Sequence, residues 1–291
     1  MLKSKVLIIG VNSFVGRNFI KYSNNLVEEV SLIDHEPEQI DYSNYDVILH
    51  LAAIVHQSVA IPYAEYKKIN TDLAFDVAKR AKKQGVQQFV FMSTVKVYGE
   101  SNNDGPWTEV SPCNPVDSYG KSKYEAEKRL LELQDDHFIV SIIRSPVVYG
   151  PGVKGNILKL IKMVDRIPIL PLGGIKNKRS MVYVGNLIAL INRIIEKKAG
   201  GIYLAGDSEQ ISTTRLVKEI SVQLNKKNVI LKIPAFILVV FKKIMPSYYI
   251  RLWGNLLIDP EDSFNRLDFT PPYTIKEGIA ETIHWYKKAF K

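Results

Sequence analysis

Val6-Leu7-Ile8-Ile9-Gly10-Val11-Asn12-Ser13-Phe14-Val15-Gly16, with its continuation to Asp34, decides how the rest of this chain reads. A short β-branched run closes on Gly10, apolar residues then recur at helical spacing from Phe14 to Tyr22, and 30–33 is strand-like again before Asp34. That is a β-α-β unit. Its first turn, with Gly10, Asn12, Ser13, Phe14, Val15 and Gly16, lies where backbone N–H groups and a helix dipole can receive a pyrophosphate. Asp34, about 20 residues past the turn, places a carboxylate at the expected end of the second strand, where the ribose hydroxyls of a dinucleotide would lie. It would repel a 2′-phosphate, and no arginine stands in 34–37 to compensate, so electrostatics favour NAD over NADP.

Outward from this unit the alternation continues. Strands are expected at 47–51, 88–92 and 138–143, and helices at 64–84 and 118–134, which predicts an α/β fold with a Rossmann-like, doubly wound parallel sheet. The interval between Asp34 and Val47 has room for one short strand or turn, so that crossover is abbreviated. After 149–152 the elements shorten: a helix near 157–164, a strand at 181–184 and helices at 187–197 and 214–225. The expected division is a dinucleotide-binding domain with the catalytic residues over 1–150 and a smaller α/β substrate lobe over 151–291. The strands near Met181 and Ile202 are expected to return to the main sheet or its helical layer. The most apolar stretch, 233–243, ends in Lys242-Lys243 and is far shorter than the roughly 20 residues of a membrane span. It reads as a helix in the core of the lobe, with a membrane-surface or partner-docking face as the alternative.

Composition narrows the function classes. With 291 residues, 24% charged and 46% hydrophobic, the chain is an ordinary globular protein of one or two domains, without repeats. Cys113 is its single cysteine, which excludes an intrachain disulfide and argues against a cysteine-based zinc site. The first residues, Met1-Leu2-Lys3-Ser4-Lys5, run straight into the first strand, too soon for a signal peptide or a transmembrane segment, so a cytoplasmic location is expected. The net charge of +9 comes from lysine pairs scattered through helical patterns, which reads as solvated surface rather than a nucleic-acid face.

The residues that carry chemistry lie at the ends of later elements. Phe91-Met92-Ser93-Thr94 ends a strand in two hydroxyls, and Tyr119-Gly120-Lys121-Ser122-Lys123 opens the helix after the next loop, with Tyr119 and Lys123 on one face. A phenol titrates near 10, too high for a base at neutral pH, whereas a neighbouring ammonium and an oxidised nicotinamide both favour the phenolate. In that arrangement Tyr119 is the acid/base, Lys123 lowers its pKa and holds the nicotinamide ribose, and Thr94 hydrogen-bonds the reacting oxygen.

In this order the motifs resemble the extended short-chain dehydrogenase/reductases of the NAD-dependent epimerase/dehydratase type, from Val6 to Tyr286. The resemblance implies that Leu51, Ala52 and Ala53 pass under the cofactor near Asn70 and that Asp41 and Tyr42 meet the adenine. It also implies that Ser93 and Pro146 flank the cofactor, and that Asn156, Arg179 and Arg251 hold the diphosphate side of a UDP-sugar. Ser13 replaces the family's middle glycine, Gly185-Asn186 replaces a frequent acidic pair, and Val147 stands where galactose epimerases carry asparagine. The sequences around Thr94 and Pro171-Leu172-Gly173-Gly174-Ile175 are similar to surface-polysaccharide enzymes that act on UDP-N-acetylhexosamines. The family therefore implies a homodimeric UDP-hexose or UDP-N-acetylhexosamine 4-epimerase with tightly bound NAD. The alternative is an NAD(P)H-dependent reductase of a UDP-4-keto-6-deoxy-N-acetylhexosamine. A dehydratase is disfavoured by Val95-Lys96, where such enzymes place Asp-Glu, and a non-catalytic dinucleotide sensor is disfavoured by the intact Tyr119/Lys123 pair.

Overall fold

The computed structural model describes residues 3–55, 61–102 and 105–291; Met1 and Leu2, the start of the N-terminal run read above, lie outside them. The first half runs β1 (Lys5–Ile9), α1 (Phe14–Tyr22), β2 (Leu26–Val30) and β3 (Val47–His50). A helical run follows, made of α2 (Tyr63–Tyr66), a π-helical turn (Lys67–Asp72) and α3 (Leu73–Lys83), then β4 (Gln88–Thr94), α4 (Ser118–Leu131) and β5 (Ile139–Ser145). The second half supplies β6 (Val147–Tyr149), α5 (Gly155–Arg166), β7 (Ile169–Gly173), β8 (Met181–Tyr183), α6 (Val184–Glu196) and β9 (Gly201–Leu204). It ends with α7 (Thr213–Gln223), β10 (Val229–Lys232), α8 (Ala235–Ile244), α9 (Pro246–Trp253), α10 (Glu261–Leu267) and α11 (Ile275–Phe290).

The main sheet is parallel throughout, in the order β2-β1-β3-β4-β5-β9. Only a 3₁₀ turn at Pro37–Gln39 separates β2 from β3, so the chain crosses behind β1 without a full helix. Strand order reverses between β1 and β3, and the crevice beyond their carboxyl ends is where such sheets receive ligands. The inner strands read as continuous apolar runs, Val47-Ile48-Leu49-His50 for example, because helices cover both faces. β9, from the second half of the chain, adds to the sheet beside β5, whereas β8 pairs with β6 in a separate ribbon and β7 with β10 in another.

Two expectations are corrected. The second strand is Leu26–Val30 rather than 30–33: its register on β1 runs Lys5↔Leu26 to Ile9↔Val30. As an edge strand it needs little apolar character, so Glu28 and Glu29 sit within it while the more apolar 31–33 forms a turn. The segment 233–243 does form a helix, α8, but not a core helix. Phe236 is 72% exposed, Val239 70% and Ile244 71%.

Candidate active site

Gly10 ends β1 at a φ of +113°, which only glycine adopts readily, and a Cβ there would meet the Ala52 amide nitrogen at 2.8 Å. The ends of β1 and β3 are thereby pressed together, and the amides of Leu51 and Ala52 both donate to the Ile9 carbonyl, at 2.9 and 2.8 Å. Asn12 takes the left-handed conformation, φ +57°. Ser13, in the family's glycine place, is extended and caps α1, its hydroxyl accepting from the Gly16 amide at 3.0 Å. The turn therefore needs no glycine at 13. With Gly16 capped, the amides of Phe14 and Val15 are the remaining donors of the first turn, and the turn fits a pyrophosphate.

Asn70 lies in the π-helical turn, fully buried. Its side-chain oxygen accepts from the Ile54 amide at 2.8 Å, and its nitrogen donates to the Ile54 carbonyl and to Ser122 Oγ, both at 3.0 Å. Asn70 thus fastens the 51–54 loop, with Leu51, Ala52 and Ala53, to α4 and acts by positioning. The extra residue of a π-turn re-aims a side chain in this way. On the adenine side, Asp34 lies in an exposed turn four residues past the end of β2. Asp41 accepts from the Ser43 amide and hydroxyl and from Asn44, and Tyr42 is buried with its hydroxyl donating to the Pro37 carbonyl at 3.1 Å. Tyr42 is therefore a core residue beneath this edge.

Thr94 ends β4, paired in register with Ser145 on β5, and Ser93 with Arg144. Thr94 Oγ1 accepts from the Lys96 amide at 3.3 Å and starts the 3₁₀ turn Val95–Val97. Against this turn α4 begins: Asp117 caps it by accepting from the Gly120 amide at 2.7 Å, and its other oxygen pairs with Lys96 Nζ. A Cβ on Gly120 would meet the Lys96 carbonyl at 2.7 Å, so glycine allows the helix start to touch the turn. This clamp places Tyr119, in the first turn of α4, at the carboxyl edge of the sheet with Thr94. Pro146 lies buried at the same edge, directly after β5.

One turn along α4, Lys123 is buried with its Nζ 4.1 Å from the centre of the Phe91 ring. Burial lowers it to about 7, opposed by the negative charge of Glu127. The Tyr119 phenol is pushed up, not down, by its own burial first and then by Asp117 and Tyr66. Burial and the neighbouring Asp117 thus outweigh the lowering expected from Lys123 in this structure.

Three partners escaped the reading of the sequence. Glu127, buried on the face shared with Lys123, takes the guanidinium of Arg144 at 2.6 Å and the Ser93 hydroxyl. Arg144 Nη1 also donates to the Tyr98 hydroxyl at 2.8 Å. His50 ends β3 between the rings of Phe89 and Phe91, at 5.7 and 5.9 Å, with neither nitrogen hydrogen-bonded among the described residues. Burial, with Lys123 nearby, holds its pKa at about 3, so it stays neutral. A carboxylate four residues past the lysine on one helix, and an arginine inside the apolar run 139–145, were the available signals for the first two.

The substrate-side residues are spread more widely. Asn156 is exposed in the first turn of α5. Arg179, lowered by burial, donates from Nη1 to the carbonyls of Ile250 at 3.3 Å and Gly254 at 3.0 Å, so it secures the end of α9. Arg251 lies on α9 itself. Asn186, at the departure from an acidic pair, donates to the buried carboxylate of Asp207 at 2.7 Å and to the Tyr273 carbonyl at 2.9 Å. Val147 is partly exposed at the start of β6.

A model of the NAD dependent epimerase/dehydratase family matches residues 6–206. A UDP-glucose 4-epimerase from Vibrio cholerae is 33% identical, covering 99% of this chain and 97% of that protein. An N-acetyl-alpha-D-glucosaminyl-diphospho-ditrans,octacis-undecaprenol 4-epimerase from Escherichia coli O157:H7 is 27% identical, covering 98% of this chain and 96% of that protein. Among solved structures, the UDP-glucuronic acid 4-epimerase of Bacillus cereus in complex with NAD superposes with a TM-score of 0.76 at 18% identity, over 99% and 100% of the two chains.

Proposed function

The chain belongs to the NAD dependent epimerase/dehydratase family, and from that premise we propose that it is a 4-epimerase of a diphosphate-activated hexose or N-acetylhexosamine. The carrier is UDP, as in the name of the Vibrio cholerae relative, or a polyprenol, as in that of the Escherichia coli relative. The observation that supports the reading is the clamp of Asp117 and Gly120 on Lys96, which holds the start of α4, with Tyr119, against the turn that follows Thr94. Residues 1–150 hold the dinucleotide and 151–291 the activated sugar.

The Phe14 and Val15 amides receive the pyrophosphate, and the 51–54 loop, fixed by Asn70, forms the floor. Segment 31–46 carries Asp34, Glu36, Glu38, Asp41 and Asp46 and no lysine or arginine, a setting that repels a 2′-phosphate and supports NAD over NADP. When bound, NAD supplies the hydride acceptor and donor and the positive ring charge that favours a phenolate at Tyr119. Tyr119 takes the proton from the C4 hydroxyl and returns it after the ring has turned, and Thr94 holds the C4 oxygen between the two transfers. Lys123 holds the nicotinamide ribose. Elimination is disfavoured because the two positions after Thr94, where dehydratases of this type place Asp-Glu, are a buried Val95 and a Lys96.

The test is to incubate purified protein with UDP-glucose, UDP-N-acetylglucosamine, a polyprenyl-diphosphate N-acetylglucosamine and a UDP-4-keto-6-deoxy sugar, following products and NADH absorbance. The 4-epimer without net NADH change is expected. Stoichiometric NADH consumption with the keto sugar alone would instead make the protein a reductase.

A further inference from the structure

Between Glu219 and Asp259 the chain contains Lys226, Lys227, Lys232, Lys242, Lys243 and Arg251 and no carboxylate. Within this stretch α8, Ala-Phe-Ile-Leu-Val-Val-Phe-Lys-Lys-Ile, is apolar around most of its circumference, a composition normally found inside a protein. Here Phe236, Ile237, Val239, Val240 and Ile244 are all exposed, and Tyr248 continues the surface onto α9. Ten residues of helix span about 15 Å, half the hydrocarbon thickness of a bilayer, and among the described residues no helix can cross one.

The base of this hairpin is tied to the rest of the chain. Phe241 packs on Trp253 at 5.6 Å, and Tyr249 stacks on Trp253 at 5.7 Å. The carbonyls at the end of α9 are taken by Asn177, Arg179 and Thr213, with Thr213 Oγ1 donating to Leu252 at 2.7 Å. A cleft of about 730 Å³ runs from Asn177 past Lys232 and Pro234 to Leu238, Tyr249 and Trp253. The exposed apolar residues are thus held by the same 177–179 segment that carries Arg179.

We infer that the α8–α9 hairpin docks on the surface of an anionic lipid bilayer and brings the sugar site to a diphosphate sugar carried on a membrane lipid. The substrate half rests on the 4-epimerase reading above. Apolar side chains flanked by lysines, tyrosine and tryptophan are the composition of a bilayer interface. Lysine is depleted from the cores of protein interfaces, which disfavours a protein occupant. Lys242 and Lys243 follow the apolar turns directly, so their stems can lie along the acyl boundary while the ammonium groups reach lipid phosphates.

Flotation of the full-length protein with phosphatidylcholine vesicles, with and without phosphatidylglycerol, tests the docking. The protein is expected to float with the anionic vesicles and to be partly released by salt. Lys242→Ala/Lys243→Ala should weaken partition roughly 30-fold, and Phe236→Ser/Val239→Ser/Val240→Ser by on the order of 100-fold or more, with melting temperatures unchanged. The triple variant should keep wild-type turnover of a UDP-sugar and lose turnover of a polyprenyl-diphosphate N-acetylhexosamine in vesicles. Three results overturn the inference: wild-type protein that floats with neither vesicle, a triple variant that loses self-association rather than vesicle binding, or equal loss on both substrates. Vesicle binding without turnover of any sugar would sink the epimerase reading and leave the docking standing.

Discussion

Around α4 the buried polar groups are mostly answered from within the protein: Lys96 by Asp117, Arg144 by Glu127 and Tyr98, and the Asn70 amide by the loop and helix it joins. Around α8 the opposite holds, with Phe236, Val239, Val240 and Ile244 facing solvent and only the base of the hairpin tied down. The first region closes its own polar contacts within the chain. The second is completed by something outside the chain, and it is the part that selects where the chemistry is used.

The largest expected effect belongs to the first region. On the 4-epimerase reading Tyr119→Phe removes the proton-transfer group and nothing that holds α4, so turnover should fall on the order of 10² to 10⁴-fold at unchanged melting temperature. A variant with near wild-type turnover would detach the clamp from catalysis. Next is Glu127→Ala, which leaves the Arg144 guanidinium buried without its carboxylate and should cost about 3–5 kcal/mol in urea unfolding. A loss below about 1 kcal/mol, the range of exposed pairs, would mean that the network is not the internal support described.

The contrast also explains what the sequence disclosed. The strands of the sheet, α1 and the Tyr119/Lys123 pair were legible because each is a local pattern: buried parallel strands are apolar runs, and two residues four apart share a helix face. The end of β2 was not, because edge strands tolerate Glu28 and Glu29 and the apolar 31–33 imitates a strand. Glu127 with Arg144, and Arg179 with the end of α9, join residues far apart in the chain, which no local spacing displays. The exposure of α8 was hidden for a related reason: an apolar helix has one appearance in sequence whether it faces a core or a membrane.

The proton of Lys123 sharpens the comparison further. Its folded value is about 7 against 10.5 for a free lysine, so between those pH values the unfolded chain holds the extra proton and wild-type stability should rise with pH. Above pH 10.5 the penalty is absent, and below 7 the buried ammonium imposes it in full. Urea unfolding from pH 7 to 10 should show a gain of a few kcal/mol that Lys123→Met abolishes; parallel curves would place the ammonium in water. Gly120→Ala is a smaller perturbation. Its Cβ would press on the Lys96 carbonyl at 2.7 Å, an overpacking cost of about 1–3 kcal/mol partly offset by about 1 kcal/mol of helix propensity. Turnover should fall more than stability, because Tyr119 is the neighbouring residue.

The smallest expected effect lies on the hairpin, and its smallness is informative. Val239 is 70% exposed, so Val239→Ser removes little burial and should change unfolding free energy by no more than about 0.5 kcal/mol. The same valine-to-serine exchange at Val90, fully buried in β4, removes a core side chain and puts a hydroxyl in its place, at a cost of about 2–4 kcal/mol. Measured side by side, the two substitutions read out whether apolar residues serve the fold in both places or only in the sheet. If Val239→Ser cost as much as Val90→Ser, α8 would be packed in solution against a second copy of the chain. The division between an inwardly satisfied region and an outward-facing one would then fail.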